Sequence, residues 1–128
     1  MDVQIFGTKK DSDTRKALRF FSERRIRTHF VDLQERAASM GELKRFAQKF
    51  GAEALIARSS PHFAQRGLAV ARYSDERWLE LLADDPLLLR IPLGRWQHRL
   101  TIGLDEAAWK EWIAAGATLP PTQARQRN

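Results

Sequence analysis

The chain has 128 residues, which is the size of a single domain that buries one core of its own. Its 22 lysines and arginines outnumber 16 acidic residues and give a net charge of +6. This charge favours an anionic partner such as a phosphorylated metabolite, nucleic acid or an acidic protein surface. Because cysteine is absent, the chain forms no disulfide, thiolate metal site or Fe–S cluster and has no thiol nucleophile.

Apolar segments are all interrupted by charged residues, so none approaches the length of a membrane span. The first residues also lack the long apolar stretch of a signal peptide. We therefore expect a cytoplasmic protein without a membrane partner.

The first third of the chain predicts a strand, a helix and a second strand. Val3–Phe6 is a short apolar run of β-forming residues, and Thr28–Asp32 has the composition of another strand. A helical pattern lies between them from residue 14 to about residue 25, after three N-cap types at 11–13. Strand, helix and strand at this spacing indicate a right-handed crossover with parallel strands.

The middle of the chain, roughly 35–89, predicts helices only. Ser39 and Glu42 match a capping box, and apolar residues at helical spacing follow as far as Gly51. Another helix is predicted from Ser74 to about residue 85.

The last third predicts an antiparallel hairpin and a closing helix. Arg90–Leu93 and Arg99–Gly103 have strand character, with Gly94-Arg95 as the turn between them. Asp105 is the predicted cap of the closing helix. The tryptophans are assigned to the core or its edge, except that Trp96, beside a turn, is expected to be exposed for contact.

This order of elements predicts an α/β fold, a thioredoxin-like (glutaredoxin-like) mixed sheet with an inserted helical subdomain. We expect one domain over 1–117, with the thioredoxin-like core in 1–34 and 90–117 and the helical insertion in 35–89. The tail, 118–128, has no apolar period and is expected to be mobile.

Several short motifs resemble the arsenate reductase (ArsC) / Spx family. Ile5–Gly7 followed by Lys10–Thr14 and Lys16–Ala17 is similar to the family's opening, which has a strand, a glycine, Lys-Asn-Cys-Asp-Thr and a Lys-Ala helix. Further similar segments follow in the family's order at Phe50–Ile56, Leu81–Leu88, Arg90 with Pro92, and Ile102–Gly103. The resemblance covers residues 3–113, nearly the whole chain.

The resemblance places Ser12 where the family has its catalytic cysteine. A thiolate at a helix start is stabilised by free amides and the helix dipole, and in the family it attacks arsenate or a disulfide. A serine hydroxyl is a far weaker nucleophile unless a base takes its proton. His29 and His62 are the candidate bases, and neither has a sequence relation to Ser12. The competing interpretation is that Ser12 simply caps the helix.

The resemblance also implies that Arg58 and Arg90 hold an oxyanion and that Pro92 follows a cis peptide bond. Arg90 departs from the family pattern because one residue separates it from the proline. The family's third arginine falls near Gly103 and is absent, and Arg99 is a candidate substitute. In the competing interpretation these arginines are surface charges.

Three functions remain open. The first is a catalytically silent member that acts through protein binding or regulation; Spx-like relatives contact RNA polymerase, and a basic chain suits an acidic protein partner. The second is a reductase-related enzyme that takes its thiol from glutathione or a partner and uses Ser12, Arg58 and Arg90 as a weak oxyanion site. The third, direct nucleic-acid binding, is least favoured because no recognised reading motif accompanies the charge. We expect a monomer, with no metal and no resident cofactor unless glutathione serves the second function.

Overall fold

Four strands form one mixed sheet in this computed structural model, which describes residues 1–117. They are β1 (Asp2–Gly7), β2 (Arg27–Asp32), β3 (Leu93–Trp96) and β4 (Arg99–Ile102), in the order β2-β1-β3-β4. The crossover prediction is confirmed, since β1 and β2 are parallel. The pairs β1–β3 and β3–β4 are antiparallel. The tail predicted to be mobile, 118–128, lies outside the described residues.

Five α-helices accompany the sheet in the described part of the chain. They are α1 (Ser12–Glu23), α2 (Met40–Phe50), α3 (Pro61–Gln65), α4 (Asp75–Asp84) and α5 (Glu106–Ala117). Three 3₁₀ turns, Ala52–Leu55, Leu68–Val70 and Pro86–Leu88, complete the segment between β2 and β3. The predicted fold class, a thioredoxin-like α/β sheet with a helical insertion, is confirmed. Among residues 1–117, every helix is too short or too polar to cross a lipid bilayer.

Helix α3 is the element that the sequence interpretation missed. The sequence predicts helices only after Ser39 and from Ser74, whereas the Ser60 hydroxyl caps α3 by accepting a hydrogen bond from the Phe63 backbone N–H at 3.2 Å. Pro61 occupies the first helical position, where its missing N–H costs nothing. The capping box of α2 is present as predicted, with Ser39 and Glu42 bonded to each other's backbone N–H groups.

The sheet separates two apolar clusters, because successive side chains of a strand point to opposite faces. On one face, Ile5 lies in a cluster with α1 and α5, where Trp109 packs 5.3 Å from Phe21 between ring centroids. On the other face, Phe6 packs edge-on against Phe46 of α2 at 6.0 Å. Helices thus cover both faces and leave the ends of the strands for a site.

The hairpin differs from its prediction in the position of the turn. Gly94 and Arg95 lie inside β3, and the turn is formed by Gln97 and His98, with Gln97 at φ 57°. The glycine at 94 serves close packing: a Cβ there would lie 2.5 Å from Oγ1 of Thr101. The expectation for Trp96 is also wrong, because its side chain is only 5% exposed, in the cluster beneath α5.

Candidate functional site

Asp11 caps α1 and fixes its first turn. Its carboxylate accepts hydrogen bonds from the Thr14 backbone N–H and hydroxyl, both at 2.8 Å. Thr14 is fully buried against Gly7, which leaves no room for a side chain at that glycine. Ser12 is therefore the first helical residue, with an exposed side chain, and its interpretation as the helix cap is wrong.

The loop that leads into α1 is held by the helix itself. The Arg15 guanidinium donates to the backbone carbonyls of Lys9 at 2.9 Å and Lys10 at 2.7 Å. The Asp11 backbone N–H donates to the Thr8 carbonyl at 3.2 Å. These bonds give the residues before Ser12 a defined conformation and leave the Lys10 side chain exposed.

Neither candidate base contacts Ser12. His29 lies exposed on β2, and His62 lies on α3 with Nε2 2.6 Å from the Asp85 carboxylate. Within residues 1–117, no hydrogen bond links the Ser12 hydroxyl to a group that takes its proton. The hydroxyl thus keeps the low nucleophilicity of an ordinary serine.

A cleft of about 640 Å³ lies beside the start of α1. It is bounded by the loop before α1, by the segment 56–60 and by the segment 86–91. Three cationic side chains and one carboxylate line it, which are Lys10, Arg58, Arg90 and Asp11. The structure thus brings both predicted arginines to one cleft. Ser12 is the next residue after Asp11 but does not itself line the cleft.

Arg58 is held by a carboxylate outside the cleft lining. Its Nη2 lies 2.6 Å from Oε1 of Glu53, and its guanidinium lies 5.5 Å from the Trp78 ring centroid and 5.7 Å from that of Phe63. The sequence interpretation missed Glu53, because the pair spans five positions across a 3₁₀ turn and matches no regular helical spacing. Part of the positive charge of Arg58 is thus offset before any anion arrives.

A short backbone pairing between the segments that carry Leu55 and Arg90 positions Arg90 at the cleft. The Arg90 N–H donates to the Leu55 carbonyl at 2.7 Å, and Ile56 and Leu89 form an isolated antiparallel bridge. The Arg90 side chain is exposed and, within residues 1–117, forms no ion pair. A Cβ on Gly103 would lie 3.7 Å from Nη2 of Arg90. The Arg90 guanidinium therefore lies near the position at which the family has its third arginine and this chain has Gly103.

The remaining predicted residues fall on different sides of the hairpin. The Ile91–Pro92 peptide bond is cis, and Pro92 leads directly into β3. Arg99 begins β4 at the turn, with its guanidinium 4.9 Å from the Trp96 ring centroid. Gly103 follows the other end of that strand, so Arg99 does not substitute for the missing arginine.

Asp85, His62 and Arg66 form a partly buried ion cluster next to the wall of the cleft beside α1. Asp85 accepts hydrogen bonds from His62 at 2.6 Å, from Arg66 at 2.9 Å and from the Leu87 backbone N–H at 3.2 Å. Burial pushes the pKa of Asp85 up, but the hydrogen bonds from His62 and Arg66 outweigh it and hold that pKa below its usual value. The cluster ties α3 to the turn that carries Leu87. No group of side chains in residues 1–117 has the composition of a metal site.

The sheet order and the helical insertion define a thioredoxin-like α/β protein with a cleft beside the start of α1. The model of the ArsC family matches residues 6–112, and the chain belongs to the ArsC family. No curated protein sequence matches the chain.

Solved structures share the fold at low sequence identity. An ArsC-family-related protein from Bacteroides fragilis is 17% identical with a TM-score of 0.78, over 87% of this chain and 97% of its own. An arsenate reductase from Vibrio cholerae is 23% identical with a TM-score of 0.71, over 80% and 89%. An arsenate reductase (ArsC) related protein from Brucella melitensis is 21% identical with a TM-score of 0.66, over 88% and 95%.

Proposed function

We propose that this ArsC-family chain does not reduce arsenate and acts by binding a protein partner. The observation that carries the proposal is that Ser12, which the family resemblance places at the position of the catalytic cysteine, is a serine exposed on the first turn of α1 without a neighbouring base. The chain holds no cysteine elsewhere that could take its place.

The chemistry of the reduction supports the proposal. Family reductases attack arsenate with a thiolate and form an arsenic–sulfur bond, and a chain without a thiol cannot form that bond on itself. The pairing of Arg58 with Glu53 also leaves less positive charge for an oxyanion. An acidic protein is the partner class that the net charge of +6 favours, with RNA polymerase as the example that the family resemblance suggests.

A second candidate function rests on the cleft itself. Lys10, Arg58 and Arg90 supply positive charge beside the free amides at the start of α1. In this alternative an anion such as arsenate or the carboxylates of glutathione binds there, and the thiol comes from glutathione or from a partner protein.

Arsenate reduction in the presence of glutathione and glutaredoxin separates the candidates. We expect no turnover by the wild-type protein, and no turnover by Ser12→Ala. The variant Ser12→Cys is the matched positive control, since it returns a thiol to the first turn without altering the cleft. Wild-type turnover that disappears in Ser12→Ala would contradict the proposal.

Wild-type turnover that persists in Ser12→Ala but disappears in Arg90→Ala would favour the borrowed-thiol enzyme. Binding is tested separately by recovery of an acidic protein from cell extract at moderate salt, with purified partner then titrated in solution. The binding proposal fails when no partner binds the purified chain.

A further inference from the structure

A second cleft, of about 530 Å³, lies between α2 and the β3–β4 hairpin and carries only basic charge. Arg45 and Lys49 of α2 face it from one side, and Arg95 and His98 of the hairpin from the other, with Leu100 as its apolar part. No carboxylate lines it, and within residues 1–117 none of these basic side chains has an ion-pair partner. Uncompensated cations around a concave surface attract an anionic ligand.

This basic cleft is separate from the cleft beside α1. Because β3 runs antiparallel to β1, Arg95 pairs with Gln4 near the start of β1, whereas α1 follows the end of that strand. The two clefts therefore lie at opposite ends of the sheet and share no lining residue.

The free edge of β4 forms one lip of the basic cleft. In the described sheet β4 pairs only with β3, and the Gly103 N–H donates to the Pro92 carbonyl at 2.8 Å. Successive residues of an antiparallel edge strand turn their N–H and C=O groups alternately toward and away from the neighbouring strand. Because Gly103 faces β3, Leu100, three residues earlier, turns its N–H and C=O away from β3. Consistent with this, the Lys49 ammonium donates to the Leu100 carbonyl at 3.3 Å. An extended chain laid along this edge can reach the Leu100 N–H and the cations of the cleft, and it takes the Leu100 carbonyl by displacing the Lys49 ammonium.

We propose that the basic cleft and the adjoining β4 edge bind an acidic, extended segment of a partner protein. Acidic side chains at alternate positions of that segment face Arg45, Lys49 and Arg95. The other positions face the α5 side of β4, where the carboxylates of Asp105 and Glu111 balance the charges of Arg99 and Lys49, so this side offers no excess positive charge to further acidic residues.

A protein segment suits the cleft better than nucleic acid does. No Phe, Tyr or Trp lines the basic cleft itself, and of the two aromatic residues beside the β4 edge, Phe50 and Trp112, the latter is buried, so bases have no row of stacking platforms there. The few cations would also neutralise only a few phosphates, whereas the β4 edge offers backbone hydrogen bonds that a peptide uses directly.

Titration of the full chain with a short peptide that alternates glutamate and threonine tests the proposal. We expect the NMR amide signals of 45–49 and 99–102 to shift, and the same peptide with glutamine for glutamate to bind at least about tenfold more weakly. Arg45→Glu should weaken binding by about tenfold without unfolding the chain, because the Arg45 side chain is exposed and has no hydrogen bond within residues 1–117. Lys44→Glu makes the same change of charge at a residue of α2 that does not line the basic cleft, and it should leave the affinity unchanged.

Equal affinity of the wild type and Arg45→Glu would overturn the proposal, as would equal binding of the glutamine peptide or no binding at all. Tighter binding of an oligothymidine to the same amides would overturn it in favour of nucleic acid. The inference deepens the proposed binding function, but the two fail separately. The peptide titration reports on the hairpin end of the sheet, and arsenate turnover reports on Ser12.

Discussion

The guanidinium of Arg58 lies 2.6 Å from the carboxylate of Glu53, between Nη2 and Oε1. Arg58 is one of the two arginines through which the family resemblance implies oxyanion binding, and here it already has an anionic partner. Both side chains are exposed, at 44% and 66%, and an exposed pair of this kind contributes little stability. The pair therefore acts mainly on ligand binding, because an incoming anion must compete with Glu53 for the same guanidinium.

Removing the competing carboxylate should strengthen anion binding. We expect Glu53→Gln to tighten phosphate binding in the cleft beside α1 by about threefold, since an exposed ion pair is worth about 0.2–1 kcal/mol. Arg58→Ala should weaken it. Phosphate titration followed by NMR measures both, with the amide signals of 11–14 expected to shift first. Glu111→Gln, which removes the same charge from α5, is the control. Unchanged or weaker phosphate binding by Glu53→Gln would show that Glu53 does not compete with the anion for Arg58.

The two residues at the start of α1 should differ sharply in their contribution to stability. Asp11→Ala removes the acceptor for the Thr14 N–H and hydroxyl, and loss of an N-cap costs about 0.5–2 kcal/mol. Ser12→Ala should change the free energy of unfolding by less than about 0.5 kcal/mol, because the side chain is exposed and caps nothing. Urea denaturation of both variants measures the difference. A larger loss in Ser12→Ala than in Asp11→Ala would contradict the assignment of the cap.

The strands and long helices could be predicted because local physics decides them. The apolar run in β1 and the reciprocal capping box of Ser39 and Glu42 each carry their own signal in sequence. The hairpin turn was misplaced because Gly94 resembles a turn residue, while its actual role is to let Thr101 approach from the neighbouring strand. That contact depends on the register of the hairpin, which pairs Gly94 with Thr101, and the residue types around Gly94 do not reveal this register.

The candidate site was predictable only in part for the same reason. Three consecutive N-cap types stand at residues 11–13, and only the buried position of Thr14 selects Asp11 among them. The resemblance led to Arg58 and Arg90, and the structure brings both to one cleft. The partner Glu53 was missed because it depends on the irregular path of a 3₁₀ turn.

Close packing between β3 and β4 makes Gly94 intolerant of a side chain. A Cβ there would lie 2.5 Å from Thr101 Oγ1 and 3.4 Å from Trp109 Nε1, and that indole donates to the same hydroxyl at 3.0 Å. We expect Gly94→Ala to lower the free energy of unfolding by about 1–3 kcal/mol, as overpacked cores do. Gly41→Ala on α2 is the matched control, since the nearest atom to its Cβ lies 4.0 Å away. Equal stability of the two variants in urea denaturation would contradict the packing argument.

Acid should weaken the fold through Asp85. Burial alone raises the pKa of Asp85, but hydrogen bonds from His62 and Arg66 lower it further than burial raises it. A carboxyl whose pKa is lower in the folded state stabilises the fold above its unfolded pKa of about 3.9, and this stabilisation is lost as the pH falls through the folded pKa. At neutral pH we expect Asp85→Asn to lower the free energy of unfolding by about 1.5–3 kcal/mol, the range for hydrogen bonds to charged groups. The difference from the wild type should shrink as the pH falls below about 4.

Urea denaturation over a pH series measures this change. Asp84→Asn, a neighbouring exposed carboxylate outside the cluster, is the control. A difference between the wild type and Asp85→Asn that stays constant down to low pH would show that the charge of Asp85 does not hold α3 to the cleft wall.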